Sequence, residues 1–560
     1  MQDAKGGFMK KIYLFTVFLL LIMLTCCTGT AETVENELLP FLPGENLILS
    51  GDIYELYYTE VTASNLKYEM PDNALEVLDG KISKAMKILE DNYFLDVDGF
   101  MDAVREVYSF YKYINYMVHV SDILLSKENS EINRQNYVSA FNIYNETWDK
   151  IYQLYKAARK NPEVKDLIND FIDDKHSLVS IVSGDPDIHD TRLTELEVEF
   201  LASSGSSEAE LCELYDEFVS VSNALAECYG YENYYEYAHA EVFSRQCTAA
   251  ERNLLRDYVI KYIVPLYFEY DKYADSIYDS ATALDKFFSN RYFNSRFDSF
   301  LNDPLFSYID SLPDSASKIM REAFELDRII IGDSLTSEKT AFAKNLRPIS
   351  FCYFHEDEMD LESVSHELGH YYSHSFLDRK NDGYDLYEIY ALSNAFLLLS
   401  HMGQEKDSLS FELYSADYIA NKLYQWILCT MKDEFDEIVY STYGSFEFTP
   451  ESLLEISTNI LEKYGIADKT TSMKNHLLTY WRRQGMDDPC YNLNYSIALV
   501  SSFDIYLMSL TDYAGATELY CKLVEEYNMD LSLLENLLEA GLTTPFEEDS
   551  YSNLMALLEK

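Results

Sequence analysis

Residues 360–370 read Asp-Leu-Glu-Ser-Val-Ser-His-Glu-Leu-Gly-His, and the rest of the chain is interpreted around this stretch. Asp360 is a favoured N-cap residue, and Glu362 falls in the first turn, where the helix dipole favours a carboxylate. Apolar residues then recur at every fourth position, as Val364, Leu368 and Tyr372. This spacing predicts a helix that begins after Asp360.

On such a helix, His366 and His370 lie one turn apart on the same face, so both imidazoles can bind one zinc ion. Glu367 lies between them, where it can act as general base toward water. A third ligand is needed. Residues 387–398 predict a second helix, in which one carboxylate, Glu388, comes early in an apolar run. We interpret Glu388 as the third ligand, and the alternative is a salt-bridged or solvent-facing residue at a helix start.

Composition indicates a globular protein of 560 residues, of which 48% are apolar and can fill a large core. The formal net charge of −52 excludes nucleic acid as an expected partner, because an acidic surface repels phosphate. A solvated acidic surface is the simpler interpretation, and attraction of cationic peptides is the alternative.

The N-terminus predicts an export signal. Lys10 and Lys11 precede an apolar run over 12–24 that is too short for a comfortable membrane span. The run ends at Leu-Thr-Cys-Cys, which resembles the lipobox of bacterial lipoproteins. Cys27 is the predicted lipidation site, with Cys26 as the alternative, and translation could begin at Met9 rather than Met1.

These features predict a signal peptide over 1–27 and a tether over 28–50, with the protein outside the cytoplasm and lipid-anchored to the bacterial cell membrane. The other seven cysteines are far apart and odd in number, so we predict core thiols rather than a disulfide framework or a metal site. They are Cys212, Cys228, Cys247, Cys352, Cys429, Cys490 and Cys521.

The remaining sequence is almost entirely helical in period. We predict an N-terminal helical lobe over 51–205 and a helical catalytic region over 206–560, with the zinc site at 360–396. Residues 348–354 are β-prone and predict a short strand just before the zinc helix, whose edge could hold an extended peptide.

Tyr491 and Tyr495 are spaced by four and are predicted to share a helix face. A phenol near a zinc site can donate a hydrogen bond to the oxyanion that forms when water attacks an amide. Packing in the core is the rival interpretation for both side chains, and the sequence leaves open which tyrosine would act.

Three stretches together resemble the thimet oligopeptidase and oligoendopeptidase F family of zinc metallopeptidases: residues 360–370, 388–393 and 489–495. The resemblance covers roughly residues 50 to 550. It implies an all-α, two-lobed enzyme with a deep channel that admits short peptides. It also implies that His366, His370 and Glu388 bind one zinc ion, that Glu367 activates water, and that Tyr491 or Tyr495 supports the transition state.

The chain departs from the family pattern at three places. The family usually has a histidine shortly before the tyrosine stretch, whereas residues 484–489 contain none and His476 is the nearest. The connector from His366 to Glu388 is 22 positions long (388 − 366), a few fewer than in the family, which makes Asp385 the alternative ligand. Ala395 stands where many relatives have an acidic residue, a change that we expect to affect the hydrogen bonds around the metal ligands more than zinc binding itself.

The sequence therefore predicts a zinc endo-oligopeptidase. A catalytically weak relative that binds peptides at the cell surface is the alternative, because of the missing histidine. A helical scaffold with an accidental motif is the third interpretation. For two further histidines the ordinary interpretation is preferred: His374 as a partly exposed helix residue, with support of the site or contact with substrate as the alternative, and His355 likewise, with a position facing the cleft as the alternative.

Overall fold

The computed structural model describes residues 62–555, apart from gaps at 65, 72, 91–95, 129, 159, 162–163, 166, 168–188, 190–191, 194–195, 197–198, 201–205, 246, 295–298, 333–340, 346–349, 356–358, 377–383, 406–407, 487–488 and 529–530. The predicted signal peptide with Cys27, and the tether over 28–50, lie outside the described residues. Within the described part, no helix is long and apolar enough to cross a membrane.

Three long helices form the N-terminal part: α1 (Ala74–Glu90), α2 (Val97–Lys127) and α3 (Glu131–Ala158). Asp96 caps α2 by accepting a hydrogen bond from the Gly99 backbone N–H. The helices pack around an apolar cluster of their own, which includes Val104, Ile114, Phe141 and Leu154.

A second, larger core begins with α4 (Glu208–Cys228) and α5 (Tyr234–Tyr237). The chain turns between these helices, where Gly230 has a φ of +87°. A π-helical segment, Ala238–Val242, follows α5 directly. Left-handed backbone at Gly230 is inexpensive for glycine and ends α4.

Helix α6 (Ala249–Tyr258) continues through a second π-helical segment, Val259–Ile263, into α7 (Val264–Ser280). Pro265 lies in the first turn of α7. The helix does not end, because the π-helical segment shifts the hydrogen-bond register just before the proline.

Three helices lead to a small sheet: α8 (Ala283–Asn294), α9 (Ser299–Ser311) and α10 (Asp314–Glu325). The strands are β1 (Ile329–Gly332), β2 (Ala341–Asn345) and β3 (Ser350–His355), in the order β1-β3-β2. The strand predicted before the zinc helix is therefore confirmed. It is the central strand, parallel to β1 and antiparallel to β2, so β3 itself offers no free edge to a peptide.

The sheet also joins the two groups of helices. Ile330, Phe351 and Tyr353 form a small apolar cluster with Val120 and Ile123 of α2. The predicted domain boundary near 205 and the deep channel stay predictions.

The rest of the chain is helical, as expected for the all-α class. The helices are α11 (Leu361–Ser373), α12 (Tyr384–Glu405), α13 (Leu409–Ser441), α14 (Pro450–Lys463), α15 (Thr471–Leu478), α16 (Tyr480–Arg483), α17 (Leu493–Ser509), α18 (Tyr513–Glu525), α19 (Leu533–Glu539) and α20 (Glu548–Ser552). Helix α12 packs most extensively against α17 and α11. Across all the residues that the structure describes, the seven cysteines are free thiols, as predicted.

Candidate metal centre

Helix α11 begins where the sequence predicts. The Asp360 carboxylate accepts a hydrogen bond from the Ser363 backbone N–H at 2.7 Å, which satisfies one donor of the first turn. Burial raises the pKa of Asp360 to about 6, and the charge of Glu362 adds to that shift. Lys422 of α13 forms an ion pair with Glu362 and ties the start of α11 to α13.

Close packing of α11 on α12 brings the two parts of the motif together. Gly369 lies against α12 so closely that a Cβ atom there would be 2.8 Å from both Ala391 Cα and Tyr390 O. Asn394 of α12 donates from Nδ2 to Ser365 O at 2.6 Å, and Tyr308 of α9 donates to Asn394 Oδ1 at 2.5 Å. This contact places the face of α12 that carries Glu388 beside the histidines.

The side chains of His366, His370 and Glu388 converge. Their ligand atoms all lie within 4.8 Å of one another, and His366 Nε2 is 3.5 Å from Glu388 Oε2. The centroids of the two imidazole rings are 4.9 Å apart, and the ring planes are nearly perpendicular, at 87°. Ligands of a tetrahedral zinc ion at normal bond lengths are about 3.3 Å apart, so this donor set fits zinc with small adjustments.

The protonation state of His366 also suits a metal. Burial, followed by the electrostatic effects of His370 and Lys422, lowers the pKa of His366 well below its usual value. The imidazole is therefore neutral at physiological pH, which is the form that binds a cation.

Asp385, the alternative third ligand, has a different role. Its Oδ1 accepts a hydrogen bond from Arg245 Nε at 3.2 Å, and both side chains are buried. Burial raises the pKa of Asp385, and the Arg245 guanidinium opposes that shift. The group of described residues that could hold a metal ion contains Glu388 and not Asp385.

Glu367 lies between the two histidines on α11 and is 6% exposed. The thiol of Cys352 on β3 donates to the Glu367 backbone carbonyl at 3.5 Å, which joins the helix to the sheet at this point. The negative charge of Glu367 contributes to the pKa shift of Tyr495, so the two side chains share the same environment. This position suits a general base beside the metal.

Both predicted tyrosines reach the centre. The Tyr491 hydroxyl donates to Glu388 Oε1 at 2.9 Å, and the rings of Tyr491 and Tyr495 are 5.7 Å apart, at 78°. The expectation of a shared helix face is wrong, because Tyr491 lies in the turn before α17 and only Tyr495 lies on that helix. The charge of Glu388, followed by burial, raises the pKa of Tyr495 well above its usual value, so its phenol stays protonated and can donate.

Three other histidines singled out from the sequence lie in the described residues, and none belongs to the ligand group. His476 is exposed on α15, where its Nδ1 shares a hydrogen bond with the Tyr424 hydroxyl. His374 is half-buried at the end of α11 and shares a hydrogen bond with Ser350 Oγ at 3.1 Å. His355 is half-buried at the last position of β3. His476 therefore does not replace the missing histidine of the tyrosine stretch.

Sequence reasoning missed two buried charged residues near Tyr491. Arg245 donates from Nη1 to Cys490 O at 2.9 Å and from Nη2 to Tyr491 O at 3.3 Å. Asp436 of α13 accepts from the Cys490 backbone N–H at 3.0 Å. Arg245 follows the π-helical segment Ala238–Val242, and such segments are common at functional sites. Nothing in the sequence, however, pairs Arg245 with Cys490, which lies 245 positions later.

Solved structures share this architecture. A putative oligoendopeptidase F matches over 89% of this chain and 98% of its own, with a TM-score of 0.67 and 17% sequence identity. The chain has the oligoendopeptidase fold. Its similarity to PZ peptidase A with an inhibitor has a TM-score of 0.66 at 16% identity, covering 89% of this chain and 98% of that one. A putative oligoendopeptidase F from Bacillus anthracis matches with a TM-score of 0.65 at 15% identity, over 89% of this chain and 97% of that one.

No protein-family model matches the sequence, and no curated protein sequence matches it. The oligoendopeptidase fold nevertheless extends over nearly the whole length of these neighbours, which confirms the fold expected from residues 360–370, 388–393 and 489–495.

Proposed function

We propose that this protein is a zinc-dependent endo-oligopeptidase that hydrolyses short peptides. The observation that carries the proposal is the convergence of His366, His370 and Glu388, with ligand atoms within 4.8 Å and a phenol hydrogen-bonded to the carboxylate. Two imidazoles and a carboxylate form a donor set typical of catalytic zinc sites. The names of the neighbouring structures, oligoendopeptidase and PZ peptidase, support peptides as substrates.

Each residue has a role in this proposal. Zinc, when bound by His366, His370 and Glu388, would polarise the scissile carbonyl and lower the pKa of water. Glu367 takes the proton from the attacking water and passes it to the leaving amine. The phenols of Tyr491 and Tyr495 donate hydrogen bonds to the negative charge that develops on the carbonyl oxygen.

A strand edge could orient the substrate. Because β3 is central, the edge strands of the described sheet are β1 and β2. Strand β2 packs against α11, the helix that carries the two histidines. We infer that an extended peptide pairs with the outer edge of β2 by main-chain hydrogen bonds, which would make binding tolerant of sequence.

The test uses the soluble form that starts after Cys27, a quenched fluorescent peptide of about ten residues, and zinc measured on the same sample. We expect one zinc per chain and turnover that is lost with a chelator. Glu367→Gln should retain zinc and lower kcat by about 10²- to 10⁴-fold, as expected for loss of a general base. Undiminished turnover in Glu367→Gln would contradict the proposal.

A second candidate function follows from one observation. No histidine precedes Tyr491 in residues 484–489, and His476 is directed to Tyr424 instead. A chain that lacks this donor could bind zinc and peptides with little turnover, as a peptide-binding surface lipoprotein. Stoichiometric zinc together with saturable peptide binding, and no cleavage across a broad peptide library, would favour this candidate.

The cellular location is also part of the proposal. The apolar run over 12–24 and the Leu-Thr-Cys-Cys sequence support export and lipidation of Cys27, which would anchor the protein outside the cytoplasm at the bacterial membrane. Cys27→Ala should move the protein from the membrane fraction to the soluble fraction or stall its processing. Unchanged partitioning would contradict the anchor.

A further inference from the structure

The segment 489–495 needs support from outside itself. Cys490 has a φ of +67°, a left-handed conformation that is costly for a residue other than glycine. Tyr491 precedes α17, and its carbonyl accepts a hydrogen bond from the Asn494 backbone N–H at 3.0 Å. This bond does not reach Cys490, and side chains from distant parts of the chain also hold the turn.

Arg245 supplies much of that support. Besides its bonds to the carbonyls of Cys490 and Tyr491, its Nη2 donates to Asn494 Oδ1 in the first turn of α17. The guanidinium also lies 4.4 Å from the centre of the Phe243 ring, which in turn contacts the Tyr491 ring at 6.0 Å between centroids. Arg245 thus contacts residues 489–492, the tyrosine turn, in three ways. It bonds to backbone carbonyls of the turn, to Asn494 in α17 and to the Phe243 ring that packs on Tyr491.

The same guanidinium contacts the ligand helix. Its Nε donates to Asp385 Oδ1, and Asp385 lies three positions before Glu388 in the first turn of α12. Its remaining contact is from Nη1 to His239 Nε2 at 3.2 Å. Burial, followed by the charge of Arg245, lowers the pKa of His239 to about 3, so the imidazole is neutral and can accept.

The five N–H groups of an arginine thus have five acceptor residues here: Asp385, His239, Cys490, Tyr491 and Asn494. The Arg245 side chain is 0% exposed. A buried guanidinium is stable only when it is paired and hydrogen-bonded, so its geometry is tightly determined. It can therefore fix the parts it contacts relative to one another.

We propose that Arg245 is a positioning residue that sets the Tyr491 hydroxyl on Glu388 and thereby orients both the third metal ligand and the transition-state donor. This inference rests on the proposed function. Arg245 touches neither ligand atoms nor a reacting group and acts through the backbone of Cys490 and Tyr491. Arg245 also contacts α12 through Asp385, so an effect that passes through Tyr491 is recognised by its dependence on the Tyr491 hydroxyl.

The chain offers a matched control in Arg252. This guanidinium is also buried, forms an ion pair with Glu236 and lies 5.1 Å from the centre of the Tyr235 ring. Among the described contacts, it donates no hydrogen bond to residues 489–495. Arg252→Met therefore reports the cost of removing a buried guanidinium from the same region without disturbing the tyrosine turn.

The experiment is a double-mutant cycle of Arg245→Met and Tyr491→Phe, read as kcat and KM per zinc-loaded protein and as zinc affinity by chelator competition. We expect Arg245→Met to lower kcat by about 10- to 100-fold and to weaken zinc binding about tenfold, with KM changed less than about threefold. In the Tyr491→Phe background the same substitution should lower kcat by less than about threefold, because the hydroxyl that it positions is already absent.

Arg252→Met should also lower the thermal midpoint, by less than Arg245→Met because its partner Glu236 is 42% exposed, and should leave kcat within about twofold of the wild type. If Arg245→Met does not fold, Arg245→Lys serves instead, since lysine keeps the charge beside Asp385 but cannot contact several acceptors as a fork. The inference would be overturned if Arg245→Met lowered kcat by the same factor in the wild type and in the Tyr491→Phe background. Equal losses of kcat in Arg245→Met and Arg252→Met would also overturn it.

The two readouts separate this inference from the proposed function. A wild-type protein that binds zinc without cleaving peptides would overturn the peptidase proposal, while the cycle in zinc affinity would still decide the role of Arg245. A wild-type protein that cleaves peptides, together with independent effects of Arg245→Met and Tyr491→Phe on kcat, would overturn only the role of Arg245. A wild-type protein that binds no zinc would overturn both.

Discussion

Helix α11, which carries two of the proposed zinc ligands, and the tyrosine turn at 489–492 lie at the same candidate centre but are held in different ways. Helix α11 carries its own N-cap, its own apolar stripe and two ligands one turn apart, so its local sequence prepares it for its role. The tyrosine turn has a strained residue at Cys490 and is held by Arg245 and Asp436 from distant parts of the chain. Local periodicity thus places the two histidines, whereas buried polar contacts between distant segments place the Tyr491 hydroxyl.

The first prediction tests whether the ligands on α11 act as a unit. His366→Ala should abolish stoichiometric zinc and lower turnover by at least about 10³-fold, because a site with two protein ligands binds zinc weakly. The matched control is His374→Ala on the same helix, whose histidine contacts Ser350 rather than the ligand group.

The His374 variant should retain one zinc and a kcat within about twofold of the wild type. Zinc content is measured by elemental analysis and turnover with the fluorescent peptide. Full zinc occupancy in His366→Ala would contradict the assigned ligand set.

The second prediction compares the two phenols. Tyr491→Phe should lower kcat by about 10²- to 10³-fold, as for loss of a transition-state donor. It should also weaken zinc binding about tenfold, because Tyr491 donates to the ligand Glu388. Tyr495→Phe should lower kcat without weakening zinc binding. Equal zinc affinity in both variants, measured by chelator competition, would contradict the role assigned to the Tyr491–Glu388 bond.

The third prediction concerns the contact between α11 and α12. Gly369→Ala would place a Cβ atom 2.8 Å from the backbone of α12, so the helices must separate, at a cost of about 1–3 kcal/mol in unfolding free energy. Gly403→Ala on α12 is the control, since its Cβ would lie 3.5 Å from Phe411 Cε1, an ordinary contact.

The control substitution should be neutral or stabilising by up to about 1 kcal/mol, because alanine favours helix over glycine. Chemical denaturation measures both variants. A Gly369→Ala protein as stable as the control would show that the close helix contact is not required.

The fourth prediction concerns pH and the support of the tyrosine turn by Asp436. Burial raises the pKa of this carboxyl to about 7, against a usual value of 3.8. The folded state therefore binds a proton more tightly than the unfolded state between about pH 4 and 7, so this group makes the protein less stable as pH rises through that window.

Asp436→Asn keeps an oxygen to accept from Cys490 N–H and Tyr480 O–H but removes the titration. The loss of thermal stability between pH 4 and 7 should be smaller in Asp436→Asn than in the wild type. The charges of Asp433 and Lys432, which also act on Asp436, are unchanged in this comparison. Identical slopes of melting temperature against pH would contradict the assignment.

Several features of the centre were predictable because they depend on neighbours in the sequence. The start of α11 at Asp360, the facing histidines and the carboxylate early in α12 all follow from spacing and capping. The strand at 350–355 was also predictable, but not its central place in the sheet, because β1 and β2 come from segments whose pairing leaves no local signal. The same limit explains why a free edge was wrongly expected at β3.

The sequence by itself predicted the helical class and the facing pair His366 and His370 with Glu367 between them, since these depend on residues within one or two turns of helix. For the third ligand it left Glu388 and Asp385 as alternatives. Only the tertiary structure decided that Glu388 rather than Asp385 joins the histidines, because Arg245 pairs with Asp385. It also decided that Tyr491 reaches Glu388 from a turn held by Arg245 and Asp436. Burial of these charges requires partners, and the fold alone brings those partners together from distant positions in the chain.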